Sequence, residues 1–313
     1  MMAHPQTEGQ ASRIVYDDFR ADGGYTLANY QALWDNIYGL GEMALQDTRR
    51  FEDGVFTVSA APFSTGVDKS VLDHIKYFGV SRKTFAPPRR GSLTLKATIE
   101  ARTPGIERGR VVHGVYGPSG GGPTGTPYSA MLLDAQQASV TLHLIDFETG
   151  QLFDWLVSER VAMCLVERLP SSVTGSAIPV GSDKMHTQIV MEHPITPGPH
   201  TYAIRFSRGV ERPGVEFLID GQVISRVERV GVPLDWQGQL YTGRWPAMGP
   251  GEDLTDRINS FAIGHGLFSL LDAFPFQYET APEESISIPL DQRLFGQGAI
   301  GGFQNIEIHL DPA

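Results

Sequence analysis

His200 to Arg226, HTYAIRFSRGVERPGVEFLIDGQVISR, is the stretch whose reading decides the fold. Tyr202, Ile204 and Phe206 fall on one side of an extended chain, and Thr201, Ala203 and Arg205 on the other. That period of two is the signature of a strand with one buried face. Val215 to Ile219 is a compact apolar run, and Asp220-Gly221 then turns the chain into Gln222 to Arg226. An Asp-Gly pair between two strand-like runs predicts a two-residue hairpin, because both turn positions need positive φ. Three consecutive antiparallel strands are therefore expected here.

Outward from this block the same pattern recurs. Gly91 to Ala101 (GSLTLKATIEA) alternates, with Leu93, Leu95, Ala97 and Ile99 on one side. A meander begins at Ser139: SVTLHLIDFE, a Thr149-Gly150 turn, QLFDWLV, a turn at Ser158 to Arg160, then VAMCLVERL. Val111 to Tyr116 reads as a strand that runs into the glycine-rich segment Gly117 to Pro127, which reads either as a mobile loop over a cleft or as a plain surface loop. In Val71 to Phe78, His74, Lys76 and Phe78 share a face. Helical periodicity is confined to short pieces such as Leu27 to Trp34. No repeat or change of composition demands a boundary, so one β-sandwich domain over residues 14–313 is expected, after a flexible start at 1–13.

Composition sets further bounds. The chain has 313 residues, 35 of them Gly and 21 Pro, with 41% hydrophobic and 19% charged. That is enough apolar material for a sizeable core, and the Gly and Pro content fits many short strands joined by tight turns. A net charge of −11 argues against nucleic-acid phosphates and anionic membranes as partners. No run approaches the ~18 apolar residues of a membrane span. The first residues lack the basic and apolar regions of a secretory signal, so a cytoplasmic setting is expected. The single cysteine, Cys164, sits in an apolar run and reads as a core thiol.

With these strands in place, the order of motifs resembles the concanavalin A-like jelly rolls of the laminarinase and endo-β-glucanase type. Val15-Tyr16-Asp17-Asp18-Phe19 is similar to their opening W-x-D-E-F, and Glu52 to Val58 to their x-D-G-x-L-x-L strand. His200 to Gly221 resembles their H-x-Y-x-I-x-W … F-Y-V-D-G block, and Phe303 to Ile308 their closing strand. LIDFETGQLFDWL (144–156), GHGLFSLLDAFPF (264–276) and RLFGQG (293–298) also look like a group of bacterial sandwich proteins without an assigned activity. The resemblance implies an all-β, two-sheet antiparallel jelly roll with its site on the concave sheet.

Glucanases of that type carry their carboxylates on one strand, as E-x-D-x-x-E or E-x-D-x-E. Retention needs two carboxyls ~5–5.5 Å apart. Here the matching run is Leu144-Ile145-Asp146-Phe147-Glu148, with leucine where the nucleophile belongs. Retaining hydrolysis is thus disfavoured. Asp146 and Glu148 remain the best candidate acid/base pair, and the bland alternative is that they cap the turn at Thr149-Gly150. His74 and His113 are the candidate cleft bases. Lys76, Tyr116, Asp154, Trp155, Trp245 and His265 are candidate ligand-binding groups, with core packing the default for Trp155. The nine histidines show no HxH or HExxH spacing, so neither a metal site nor a cofactor is expected. There is no G-x-S-x-G elbow for a serine nucleophile.

Three functions fit. The first is an enzyme that binds a small organic intermediate in the cleft and uses acid/base catalysis for a cyclisation or isomerisation. The second is a non-catalytic saccharide-binding sandwich, and the third a divergent glycoside hydrolase or lyase. A closed apolar pocket favours the first, an open aromatic groove the second, and two carboxyls at hydrolase spacing the third.

Overall fold

The computed structural model describes residues 10–36, 48–65, 73–118, 123–271 and 286–313. In chain order it begins with β1 (Ser12–Asp17), α1 (Leu27–Leu33), β2 (Trp34–Asn36), β3 (Thr48–Glu52), β4 (Val55–Ala60), β5 (Ile75–Ser81) and β6 (Gly91–Arg102). Then come β7 (Val111–Tyr116), β8 (Pro127–Met131), α2 (Asp134–Gln137), β9 (Ser139–Asp146), β10 (Gln151–Val157), β11 (Val161–Arg168) and α3 (Ser171–Thr174). The rest is β12 (His186–Pro194), β13 (His200–Arg208), β14 (Gly214–Ile219), β15 (Gln222–Val227), β16 (Ala262–Phe268), β17 (Ile286–Ser287), α4 (Leu290–Arg293) and β18 (Ala299–Pro312).

Two antiparallel sheets carry the fold. The first runs β15-β14-β13-β6-β18-β4-β3, with β1 also paired to β18, and the second runs β12-β11-β10-β9-β16-β5-β2. A small third sheet, β17-β7-β8, stands apart from both. The chain crosses from β4 in the first sheet to β5 in the second and back to β6. Late in the sequence β16 slots between β9 and β5, and β18 between β6 and β4. This interleaving is the two-sheet concanavalin A-like jelly roll that the motif order implied. Ser12 and Arg13, assigned to the flexible start, already pair with Leu310 and His309. In the Gly117–Pro127 segment, residues 119–122 lie outside the described residues, as do Val71 and Leu72.

The opening stretch does what its pattern demands. β13, β14 and β15 are consecutive neighbours, and Tyr202, Ile204 and Phe206 are fully buried. They join Leu93, Leu95, Ala97 and Ile99 of β6 in the core between the sheets. Leu142, Leu144, Phe153, Trp155, Cys164 and Val166 of the second sheet meet them there. Trp155 Nε1 donates to Ala203 O at 3.0 Å, so the indole is satisfied inside the core. The hairpin turn has φ 50° at Asp220 and 81° at Gly221, both positive as a type I′ turn requires. A Cβ at Gly221 would meet no atom within 4 Å, so Gly221→Ala tests backbone strain alone. It is expected to cost about 1 kcal/mol in urea unfolding; no change would mean that the turn tolerates a side chain.

Candidate functional site

β9, β10 and β11 are buried along their whole length. Strands covered on both faces normally read as unbroken apolar runs. Here the inner face obeys that rule and the outer face does not. Beside Ile145, Leu152, Leu156, Met163 and Leu165, the outer face carries Thr141, His143, Asp154 and Glu167. Ala135 of α2, Val173 of α3, Leu270 and Trp245 pack over it and build a second hydrophobic core. The concave face is thus closed rather than an open groove. A cavity of about 100 Å³ remains, lined by His74, Phe78, His143, Phe147, Glu167, Val173 and Phe268 among others.

Register brings the polar groups together. His143 stands opposite Asp154, and Glu167 opposite Thr187 of β12. His143 Nδ1 lies 2.7 Å from Asp154 Oδ1, and His143 Nε2 lies 2.6 Å from Thr141 Oγ1. Glu167 hydrogen-bonds to Asp154, and Thr187 Oγ1 donates to Glu167 Oε2 at 3.2 Å. The result is one chain of hydrogen bonds, Thr141–His143–Asp154–Glu167–Thr187, across four strands. The His143 ring lies 4.9 Å from both the Phe78 and Phe268 rings. Gly264, opposite His143, makes this possible: a Cβ there would fall 2.7 Å from the Phe78 ring.

Burial favours the neutral forms. It pulls His143 down to about 3, so the imidazole is neutral at pH 7. It pushes Asp154 well above the usual carboxylate range, and Glu167 likewise, the nearby Asp154 raising Glu167 further. A proton on Glu167 points to Asp154, and one on Asp154 points to His143 Nδ1. The Nε2–H of that tautomer then donates to Thr141 Oγ1. With both carboxyls protonated the row carries no net charge, the least costly state in an apolar interior.

Of the residues expected at a site, His74, Asp154 and Trp245 belong to this region. His74 lines the cavity, Asp154 bridges His143 and Glu167, and Trp245 packs on the covering core. The other candidates do not. Asp146 has the inner-face parity of Leu144 and closes the turn, accepting from Glu148 N at 3.0 Å and from Thr149 Oγ1 at 2.5 Å. Glu148 accepts instead from Asn259 Nδ2 at 3.0 Å. Asp146 thus caps the turn, buried rather than solvated, and the Glu148 side chain is engaged elsewhere. His113 and Tyr116 sit on the small third sheet, His113 exposed beside Ser129 and Tyr116 edge-on to Tyr128. Trp155 and His265 face the core between the sheets; His265 is caged by Trp34, Phe56, Tyr77 and Phe303 and contacts Tyr30 Oη at 3.0 Å. Lys76 is on the outer face, but its ammonium is bound by Asp73 at 2.9 Å, which also holds Arg293 at 2.6 Å.

Glu167, Thr141 and Thr187 were not anticipated, and His143 only as one strand histidine among several. The signal was present in the turns. A tight turn at Thr149-Gly150 pairs 146 with 151 and hence 143 with 154, and the next turn pairs 152 with 167. Among the described residues, no cluster of three or more His, Cys, Asp or Glu is placed to hold a metal ion.

Solved structures similar to this chain share its sandwich at low identity. A β-agarase from Zobellia galactanivorans is 12% identical with a TM-score of 0.49, covering 98% of this chain and 96% of its own. An endo-1,3-β-glucanase from Streptomyces sioyaensis is 10% identical with a TM-score of 0.40, covering 100% of each. An exolytic alginate lyase from Zobellia galactanivorans is 9% identical with a TM-score of 0.42, covering 85% of this chain and 88% of its own. No curated protein matches the chain. A family model does match, over residues 16–312, from the first core strand to the last, and the chain belongs to that family, the family of unknown function DUF6081.

Proposed function

We propose that this chain is an acid/base enzyme for a compact, uncharged, largely apolar organic molecule, and that it isomerises or cyclises that molecule by proton transfer. The observation that carries the reading is the buried His143–Asp154–Glu167 row at the wall of the apolar cavity. Titratable groups shifted by burial and meeting at a cavity are the pattern of functional sites. An apolar cavity of ~150 Å³ holds benzene, so one of about 100 Å³ suits a smaller group or part of a ligand. The uncharged row favours an uncharged ligand, since a bound ion would be desolvated there without a counter-charge.

In this reading Glu167 takes a proton from the ligand, passes its own proton to Asp154, and Asp154 passes one to His143 Nδ1. The imidazolium so formed is held by Asp154 on one side and Thr141 on the other. Return of the proton to a different ligand atom completes the turnover with no net loss or gain. Phe147, at the cavity and partly exposed, stands with Val173 where a ligand enters.

Glu167→Gln keeps the shape of the site and removes its acid. Incubated with cell extract and analysed by mass spectrometry, this variant is expected to retain an uncharged small molecule that the wild type converts. Retention of saccharides alone, or identical profiles for the two proteins, would sink the reading.

A further inference from the structure

A second depression lies on the opposite side of the molecule, on the solvent face of the first sheet. Its volume is about 530 Å³, and its walls come from β6, β13, β14 and β18. The cause is a small residue among long ones. Ala203 stands in register between Lys96 and Leu218, one step from the row Glu216–Arg205–Thr94–His309. Lys96, Arg205 and His309 rise around the gap, with the hydroxyls of Thr94 and Thr201 on its floor and Asp220 and Asp311 at its ends.

The charges here are unequally committed. Asp220 is engaged by His200 Nδ1 at 2.7 Å and by Thr201 N at 2.8 Å. Glu216 is held by Arg205 at 3.0 Å, with Arg226 at 3.8 Å. Glu307, opposite Lys96, takes Arg13 and, at 2.8 Å, His309 Nε2. Lys96 is half-buried at the centre and makes no direct ion pair or hydrogen bond among the described residues. Among the described residues the groove therefore offers an ammonium free of any direct partner, a guanidinium beside it and two hydroxyls, while Asp311 at the exposed rim is the one lining acid without a partner there.

We propose that this groove binds an acidic saccharide, its carboxylate on Lys96 and Arg205 and its hydroxyls on Thr94, Thr201 and the rim carboxylates. The carboxylate meets the Lys96 ammonium and an Arg205 guanidinium that Glu216 engages through Nη1, and the hydroxyls meet threonines that both donate and accept and carboxylates that accept. Two to three sugar rings fit the four-residue span from Lys96 to Asp311 along β6 and β18, ~13 Å at the strand rise. This site is separate from the interior cavity and does not depend on the catalytic reading.

Calorimetric titration of the full chain at low salt decides it, with trigalacturonate as the acidic probe and maltotriose as the neutral one. Trigalacturonate is expected to bind and maltotriose not. Lys96→Gln should weaken binding about tenfold, and Lys96→Glu should abolish it. Ala203→Trp, which fills the gap from the solvent side, should also abolish it with the thermal midpoint unchanged. Glu167→Gln should leave it intact. Equal binding of the two probes, binding of neither, or no effect of Lys96→Glu would overturn the proposal.

Discussion

Asp154→Ala is expected to lower the unfolding free energy by about 3–5 kcal/mol, because it orphans His143 Nδ1 and the Glu167 carboxyl inside a closed core. Domains of this kind have ~5–15 kcal/mol in total, so the variant should be unfolded or nearly so at 37 °C. That loss alone does not separate a structural network from a functional one. Replacing the whole row does. Thr141→Val, His143→Leu, Asp154→Leu, Glu167→Met and Thr187→Val together remove every polar atom of the chain and leave none unpaired. Buried polar clusters replaced by packed apolar groups commonly gain ~1–4 kcal/mol, and a gain in urea midpoint is the expected outcome here. It would mean that the fold carries the row at a cost to its stability, which is the mark of a group kept for chemistry. If the fivefold variant instead loses several kcal/mol, the row is a structural clasp and the acid/base reading loses its support.

How much of this was legible in the sequence depends on what each signal is local to. The hairpin at Asp220-Gly221, the alternation of Leu93 to Ile99 and the three-strand meander are short-range patterns, and each folded as its own chemistry requires. The proposed row departs from the sequence reading by one residue of parity. Leu144-Ile145-Asp146-Phe147-Glu148 looks like a glucanase strand, and that likeness put the even positions of β9 on the catalytic face. The apolar partners of Leu144 put those positions inside: Leu142 and Leu144 are fully buried in the core, and His143 takes the outer face. A slip of one residue exchanges the two faces of a strand. Asp154 belongs to both readings, because its own parity was unaffected. The covering layer was not legible at all, since whether α2, α3 and Trp245 lie over a sheet depends on contacts far apart in sequence.

The sandwich should also lose stability steadily in acid. Burial holds His143 and His265 down to about 3, and His186 to about 4. In the unfolded chain these rings protonate near 6.5. A histidine with a depressed folded value contributes stability above its unfolded value, and that contribution is lost as pH falls toward the folded one. Each costs about 1.4 kcal/mol per pH unit in that window. Asp154 and Glu167 act in the opposite sense, because their folded values are raised. From neutrality to pH ~4.5 the folded state keeps protons that the unfolded carboxylates have released. Three histidines against two carboxyls leave a gentle slope of about 1.4 kcal/mol per unit there. Below pH ~4.5 the unfolded carboxylates protonate as well and the offset fades, but His186 gains its proton in the folded state near 4, so these five groups keep a slope of about 2 kcal/mol per unit. Asp220, Glu252 and Glu307, held low by their cations, add to the loss in the same range. Circular dichroism followed from pH 7 to 3 should therefore show a shallow decline in urea midpoint and then a steeper one below about pH 4.5, where the three depressed carboxylates join in. Gln is neutral at every pH, so His265→Gln should flatten the steep limb by about one proton. An acid limb of unchanged slope in that variant would mean that His265 is already charged, or already solvated, in the folded protein.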